Sequence, residues 1–180
     1  MPYCLVRSSP VGHLYLAGDG SVLTGLWLEG QRHFNAPAPS PPEVPCPPAV
    51  TAALRWLDLY FSGEDPPVAG LKLAPGGTPF QQLVWKLLCA IPRGCTVTYK
   101  ALADEAAARM GAAHMAPRAI GGAVGRNPVS IIIPCHRVVG SHGQLTGYAG
   151  GLSVKRRLLE LEQAQPPCPF SDLPSVGRPG

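Results

Sequence analysis

The chain has 180 residues, 46% apolar and 14% charged, with a formal net charge of +4 and a pI of about 8.8. This length suits one medium domain or two small ones, the apolar share allows a real core, and the mild positive charge permits a nucleic-acid partner without demanding one. No apolar run approaches the roughly 18 residues of a membrane span, the start MPYCLVRSSP lacks a signal-peptide pattern, and the six cysteines, at 4, 46, 89, 95, 135 and 168, show no C-x-x-C spacing and no histidine at ligand distance, so free thiols in a reducing cytosol are expected rather than disulfides or zinc.

In chain order, residues 3–28 alternate loosely and are broken by Ser8-Ser9-Pro10 and Gly18-Asp19-Gly20, which predicts a short β-meander. Residues 35–48 (NAPAPSPPEVPCPP) are half proline and read as an extended surface loop. Residues 49–62 place apolar side chains at helical spacing and end at Gly63. Thr78-Pro79 is a helix start, and Phe80, Leu83, Val84, Leu87, Leu88 and Ile91 form a full apolar stripe before Pro92-Arg93-Gly94. Thr98 caps a predicted helix from Tyr99 to about Arg109, and Pro117 opens a short one over 118–126. The run 129–139 has the β-branched composition of a buried strand, interrupted by Pro134. A last helix is expected from a Ser153 cap to about Gln163, followed by a proline-rich, flexible tail over 166–180.

The pair 99–109 and 117–126 suggests a helix-turn-helix. In its second helix Ile120 and Val124 point inward together, while Ala119, Gly122, Ala123 and Arg126 share another face, one almost bare of side chains. Each glycine costs a helix about 0.8–1.0 kcal/mol relative to alanine, so Gly121, Gly122 and Gly125 imply that something approaches the backbone closely. Close packing against another helix is the commoner cause. Entry into a DNA minor groove, about 6 Å wide, is the other, and Arg118 and Arg126 at the two ends favour it.

VSIIIPCHRVV, residues 129–139, places Cys135, His136 and Arg137 in an apolar run where polar groups are costly unless paired. A buried cysteine is usually only a small hydrophobe, but a neighbouring cation lowers a thiol pKa and favours the nucleophilic thiolate. On the terminal helix Glu162 falls in one arc with Val154, Leu158 and Leu161. It is either a solvated helix end or the carboxylate partner of His136.

IPCHRVV, Asn127-Pro128 before it, GYAGG at 147–151 after it, and TPFQQLVWKLL, TYKALA and RAIGGAVGRNP in order together resemble the O6-alkylguanine-DNA alkyltransferase family, in its bacterial form. The likeness is strong over about 78–163, weaker over 3–35, and does not reach the tail. It implies an α/β protein: an N-terminal β-meander and helix over 1–75, including the loop 35–48, then a helix-turn-helix (winged-helix-like) domain over 76–165 carrying the active-site cysteine. It also implies direct-reversal DNA repair, a single-turnover transfer of an alkyl group from O6-alkylguanine in double-stranded DNA to Cys135. The implied protein is a monomer of the cytoplasm, or of the nucleus in a eukaryote, with no cofactor. O4-alkylthymine stays open as a second substrate.

By the same resemblance, Cys135 is nucleophile and acceptor, His136 deprotonates it through a water, and Glu162 orients His136. Tyr99 contacts the flipped guanine and crowds a phosphate, and Arg118 fills the gap left in the stack. Ala119, Gly122, Ala123 and Arg126 form the DNA face. Asn127 braces the turn before the active-site strand. Tyr148, Ala149 and Lys155 line the pocket, and the carbonyls of Cys135 and Val138 read the guanine amine. The segment between Tyr99 and Arg118 is longer than the family pattern, and the zinc ligands of vertebrate members are not matched beyond Cys4, so no metal is expected. Three rivals remain: a lesion-binding module without chemistry, a cysteine hydrolase using Cys135, His136 and Glu162, and a helix-turn-helix regulator. The regulator would need polar base-reading side chains on 118–126, which alanine and glycine do not supply.

Overall fold

The computed structural model describes residues 2–173 and divides them into two compact units. The first takes residues up to Gly76 and then Pro128–Ile132; the second takes Gly77–Asn127 and the chain from Ile133.

In the first unit the expected meander forms: β1 (Tyr3–Ser9), β2 (Gly12–Asp19) and β3 (Val22–Leu28), antiparallel in that order. Leu14, Leu16, Leu26 and Leu28 are buried on it. Helix α1 (Pro48–Phe61) packs against β2 and β3 through Val50, Ala53, Leu57 and Tyr60, all 1% exposed or less. The loop before it, 35–48, is irregular and mostly exposed up to the first residue of α1.

Residues 128–132 do not continue a strand, contrary to the expectation for 129–139. Leu26 donates to the Pro128 carbonyl and receives from the Ser130 amide, both at 2.8 Å, in a single bridge around Val129. Ile132 N–H then turns back to the Ser130 carbonyl at 2.8 Å, with buried Ile131 at φ +70°. This is a γ-turn of the strained, positive-φ kind, rare for a β-branched residue. A second tight turn follows, from Cys135 N–H to the Ile133 carbonyl at 2.8 Å around Pro134 (φ −81°, ψ 64°). β-Branched composition predicted a strand, but Pro134 has no amide hydrogen for a ladder and the γ-turns bend the run. Cys135–Arg137 is a 3-10 turn, and only β5 (Val138–Val139) is strand, parallel to β4 (Val97–Thr98).

The second unit is helical. Helix α2 (Pro79–Cys89) starts in a full capping box: Gln81 N–H donates to Thr78 Oγ1 at 3.2 Å and Thr78 N–H to Gln81 Oε1 at 2.9 Å. Helix α3 (Tyr99–Met110) is capped by Thr98 and closed by Gly111 in the left-handed region at φ +66°. Helix α4 (Pro117–Gly125) follows and packs on α2 and α3 through Ile120, Ala123 and Val124. Trp85 of α2 donates from Nε1 to the Ala123 carbonyl at 2.9 Å, pinning α4 from below. Trp85→Phe is expected to lower the unfolding free energy by about 1 kcal/mol, read as a shifted urea midpoint at constant m-value.

Helix α5 (Leu152–Leu161) differs from expectation at its start. Gly151 (φ +92°), not Ser153, occupies the cap position, and Ser153 lies in the first turn. The tail is also corrected in its described part. Gln165 N–H donates to the Gly94 carbonyl (2.9 Å) and Cys168 N–H to the Thr96 carbonyl (3.2 Å), and Phe170 is 4% exposed. Burying such a phenylalanine contributes about 1.5–3 kcal/mol, enough to hold a proline-rich segment in place. The expectation for 174–180 lies outside the described residues.

Candidate active site and nucleic-acid interface

The 3-10 turn delivers Cys135, His136 and Arg137 into the interior of the second unit, where all are buried. Asn127, just beyond the end of α4, spans the turn. Its Nδ2 donates to the Ile133 carbonyl at 2.8 Å and to Cys135 Sγ at 3.2 Å. Burial pushes the Cys135 thiol up; the hydrogen bond from Asn127, the charge of Lys155 and a hydrogen bond from Tyr148 act against that rise. The thiol is therefore protonated at rest and surrounded by groups that favour the thiolate once the proton leaves.

His136 is fully buried, and its Nε2 lies 2.6 Å from Glu162 Oε1. A carboxylate only accepts, so Nε2 carries the hydrogen and Nδ1 the lone pair. Nδ1 is buried and makes no hydrogen bond with the described residues. Burial lowers the His136 pKa against the pull of Glu162, which keeps the imidazole neutral and able to take a proton. Glu162 stands at the C-cap of α5 with its side chain wholly buried. Of the two alternatives left by the helical wheel, the partnered carboxylate is the one observed.

Arg137 was not expected to have a partner here. Its Nε and Nη2 grip Glu162 Oε2 and Oε1, each at 3.0 Å, and its Nη1 donates to the Ile91 carbonyl at 2.5 Å. The positive charge that Cys135 feels comes from Lys155 instead. Lys155 is fully buried, and its ammonium donates to the carbonyls of Val138 (2.5 Å), Thr146 (3.0 Å) and Gly147 (3.3 Å). Burial lowers its pKa to about 8. Helical spacing contained this signal: Lys155, Leu158, Leu159 and Glu162 form the inward stripe of α5, two charges included.

Tyr99, first residue of α3, lies below the Lys155 ammonium, 5.8 Å from Nζ to the ring centroid. Its hydroxyl is shared between the Thr146 (3.3 Å) and Gly147 (3.2 Å) carbonyls. Burial, and then Cys135, raise its pKa to about 12, so it stays a donor. Tyr148 and Ala149 are half-buried on the loop before α5. The carbonyls expected to read a base are each already engaged once: that of Cys135 accepts from Val138 N–H, that of Val138 from Lys155. Each keeps a second lone pair.

On α4 the open face is made of Arg118, Ala119, Gly122 and Arg126, all exposed. Ala123 does not belong to it. It is 3% exposed, because three residues from Ile120 and one before Val124 it falls in the inward arc. The glycines answer the question their cost raises. A Cβ at Gly121, Gly122 or Gly125 would meet nothing within 4 Å. Among the described residues no neighbouring helix claims that bare backbone, so packing between them does not explain it. Among the described residues no group of three or more His, Cys, Asp or Glu side chains could hold a metal ion, and no helix is long and apolar enough to cross a membrane.

A buried thiol beside a neutral, carboxylate-anchored histidine, on a helix-turn-helix whose second helix is stripped of side chains, defines a DNA-contacting protein with an activatable cysteine. The comparisons with known proteins narrow this class. The ribonuclease-like domain of 6-O-methylguanine DNA methyltransferase matches residues 3–75 and its DNA binding domain residues 79–164. The methylated-DNA–protein-cysteine methyltransferase of Mycobacterium tuberculosis is 48% identical over 159 residues, covering 88% of this chain and 91% of that protein. The protein of the same name from Methanosarcina barkeri is 46% identical, over 89% of this chain and 97% of its own. The crystal structure of M. tuberculosis OGT in complex with DNA matches with a TM-score of 0.73 at 45% identity, covering 88% of this chain and 91% of that one. The chain belongs to the 6-O-methylguanine DNA methyltransferase family.

Proposed function

We propose that this protein repairs O6-alkylguanine in double-stranded DNA by moving the alkyl group, once, to its own Cys135. The observation that carries this reading is the buried Cys135 thiol, 3.2 Å from Asn127 Nδ2 and next in the chain to a His136–Glu162 pair at 2.6 Å. Neutral His136 takes the thiol proton, relayed through a water, and Glu162 holds the imidazole in the tautomer that can do so. The thiolate, favoured by Lys155 and Asn127, attacks the alkyl carbon. The new S–C bond forms as the C–O6 bond breaks, and the bonding pair passes to the guanine. The thiol proton ends on the guanine by way of the imidazole, while the Tyr99 hydroxyl donates to the departing base. A thioether remains, and no group in the site can reopen it.

The reacting atom is inside the duplex, so the nucleotide must be extruded. The exposed backbone of α4 suits the minor groove, Arg118 fills the stack, and Tyr99 crowds the phosphate. Tyr148, Ala149 and the free lone pairs on Cys135 and Val138 receive the base. Residues 1–75 serve as a supporting domain and 76–165 as the DNA-binding and acceptor domain. Six free cysteines suit a reducing compartment such as the cytoplasm.

Mass spectrometry after mixing with a duplex holding one O6-methylguanine tests the reading. One added methyl group is expected on the Cys135 peptide, one per molecule, and none in Cys135→Ala. Tight binding of the lesion duplex with an unchanged protein mass would replace transfer by lesion sensing. Repeated turnover on an ester without DNA would point to a hydrolase.

A further inference from the structure

We infer that Arg137 is a positioning residue that sets the basicity of His136, by dividing the charge of Glu162 with it. The inference rests on the alkyl-transfer reading of this site. The geometry is a three-way contact in a buried space. Glu162 receives one hydrogen from His136 Nε2 at 2.6 Å and two from the Arg137 fork at 3.0 Å. A carboxylate facing a histidine alone would favour the imidazolium and raise its pKa. His136 would then arrive already protonated, unable to accept the thiol proton. With Arg137 on the same carboxylate, much of that pull is already balanced. Glu162 still anchors the imidazole but does not charge it.

The groups facing His136 bear this out. From α5 come Glu162, which favours the imidazolium, and Lys155, which disfavours it. From its own turn come Arg137, which disfavours it, and Cys135. Cys89 of α2 lies near Arg137, and burial raises its thiol to about 11, so it adds no charge at neutral pH. Arg137 is itself fixed by the Ile91 carbonyl at the end of α2, so its fork has one place to go. A lysine would keep the charge but grip a single oxygen.

The test is the pH dependence of single-turnover methyl transfer from an O6-methylguanine duplex, with an NMR titration of the His136 ring in the free protein. Arg137→Met is expected to move the acidic limb of the rate, and the ring titration with it, up by about one pH unit. Arg137→Lys should give a smaller shift in the same direction. In a Glu162→Gln background Arg137→Met should shift both by clearly less, because the shared carboxylate is gone and only the direct repulsion between guanidinium and imidazolium is left to lose. A uniform rate loss with limb and ring titration unmoved would reduce Arg137 to scaffolding and overturn the inference. If Arg137→Met does not fold, Arg137→Lys decides: an upward shift supports the inference and none overturns it. A wild-type protein that transfers no methyl group at any pH would sink the alkyl-transfer reading instead, and the ring titration would still decide the role of Arg137.

Discussion

Glu162→Gln is expected to cost about 3–5 kcal/mol of stability, about 10 °C in unfolding midpoint, and to slow methyl transfer roughly 100-fold. The size follows from what is left behind. Arg137 is 7% exposed and His136 fully buried, and both direct their donors at this one carboxylate. An amide offers one acceptor oxygen where the carboxylate offers two, so the guanidinium is left buried without its counter-charge. The rate falls for a separate reason, because the imidazole loses the acceptor that fixes its tautomer. Urea unfolding and single-turnover kinetics on the same preparation separate the two effects. A loss below about 1 kcal/mol, the scale of an exposed pair, would mean that the buried three-way contact is not as drawn.

The same groups predict an acid-sensitive fold. Burial would raise the Glu162 pKa, but the hydrogen bonds and charges of His136 and Arg137 hold it well below the usual carboxylate range. Its folded pKa is depressed, so its contribution is present above the unfolded value of about 4.3 and is lost as pH falls below it. His136 is also depressed in the folded state. The unfolded chain takes up that proton from about pH 6.5 downward, so stability declines in the same direction. Wild-type unfolding free energy should thus fall in two overlapping stages from about pH 6.5. Glu162→Gln should keep the upper stage and lose the lower.

Much of this site was legible in the sequence. The Cys135-His136 pair is contiguous, and Glu162 fell on an apolar arc where an unpaired charge is expensive. Lys155 shares that arc, yet only the family resemblance points to it, because a lysine is ordinarily solvated and its stem hides a buried head in any wheel. The 129–139 run misled for another reason: β-branched composition reports a buried extended chain, not hydrogen bonding, and the γ-turns at Ile131 and Pro134 leave no mark in periodicity. The tail misled by composition as well. Six apolar or proline side chains in residues 166–173 (PPCPFSDL) suffice to dock it, with Phe170 as anchor. On α4, spacing alone could not separate helix packing from ligand approach. Only the three-dimensional surroundings of the glycines do.

Those surroundings yield the other large effect, in which stability and binding move apart. Gly122 is exposed in the interior of α4, and a Cβ there would meet nothing within 4 Å. Gly122→Ala should therefore stabilise the free protein by about 0.8–1.0 kcal/mol through helix propensity, and Gly122→Leu should fold at least as well as the wild type. If the bare face exists to approach a DNA backbone, the same leucine must weaken binding of a lesion duplex at least tenfold, about 1.4 kcal/mol. Urea titrations and fluorescence anisotropy on one set of proteins would measure both. Core glycines lose stability and ligand together, because a Cβ collides with the protein itself. Here the collision partner is outside the molecule, so a gain in stability with a loss in affinity identifies the α4 face as a surface shaped by what it binds. Unchanged affinity in Gly122→Leu would remove α4 from the DNA interface, whatever the chemistry of Cys135.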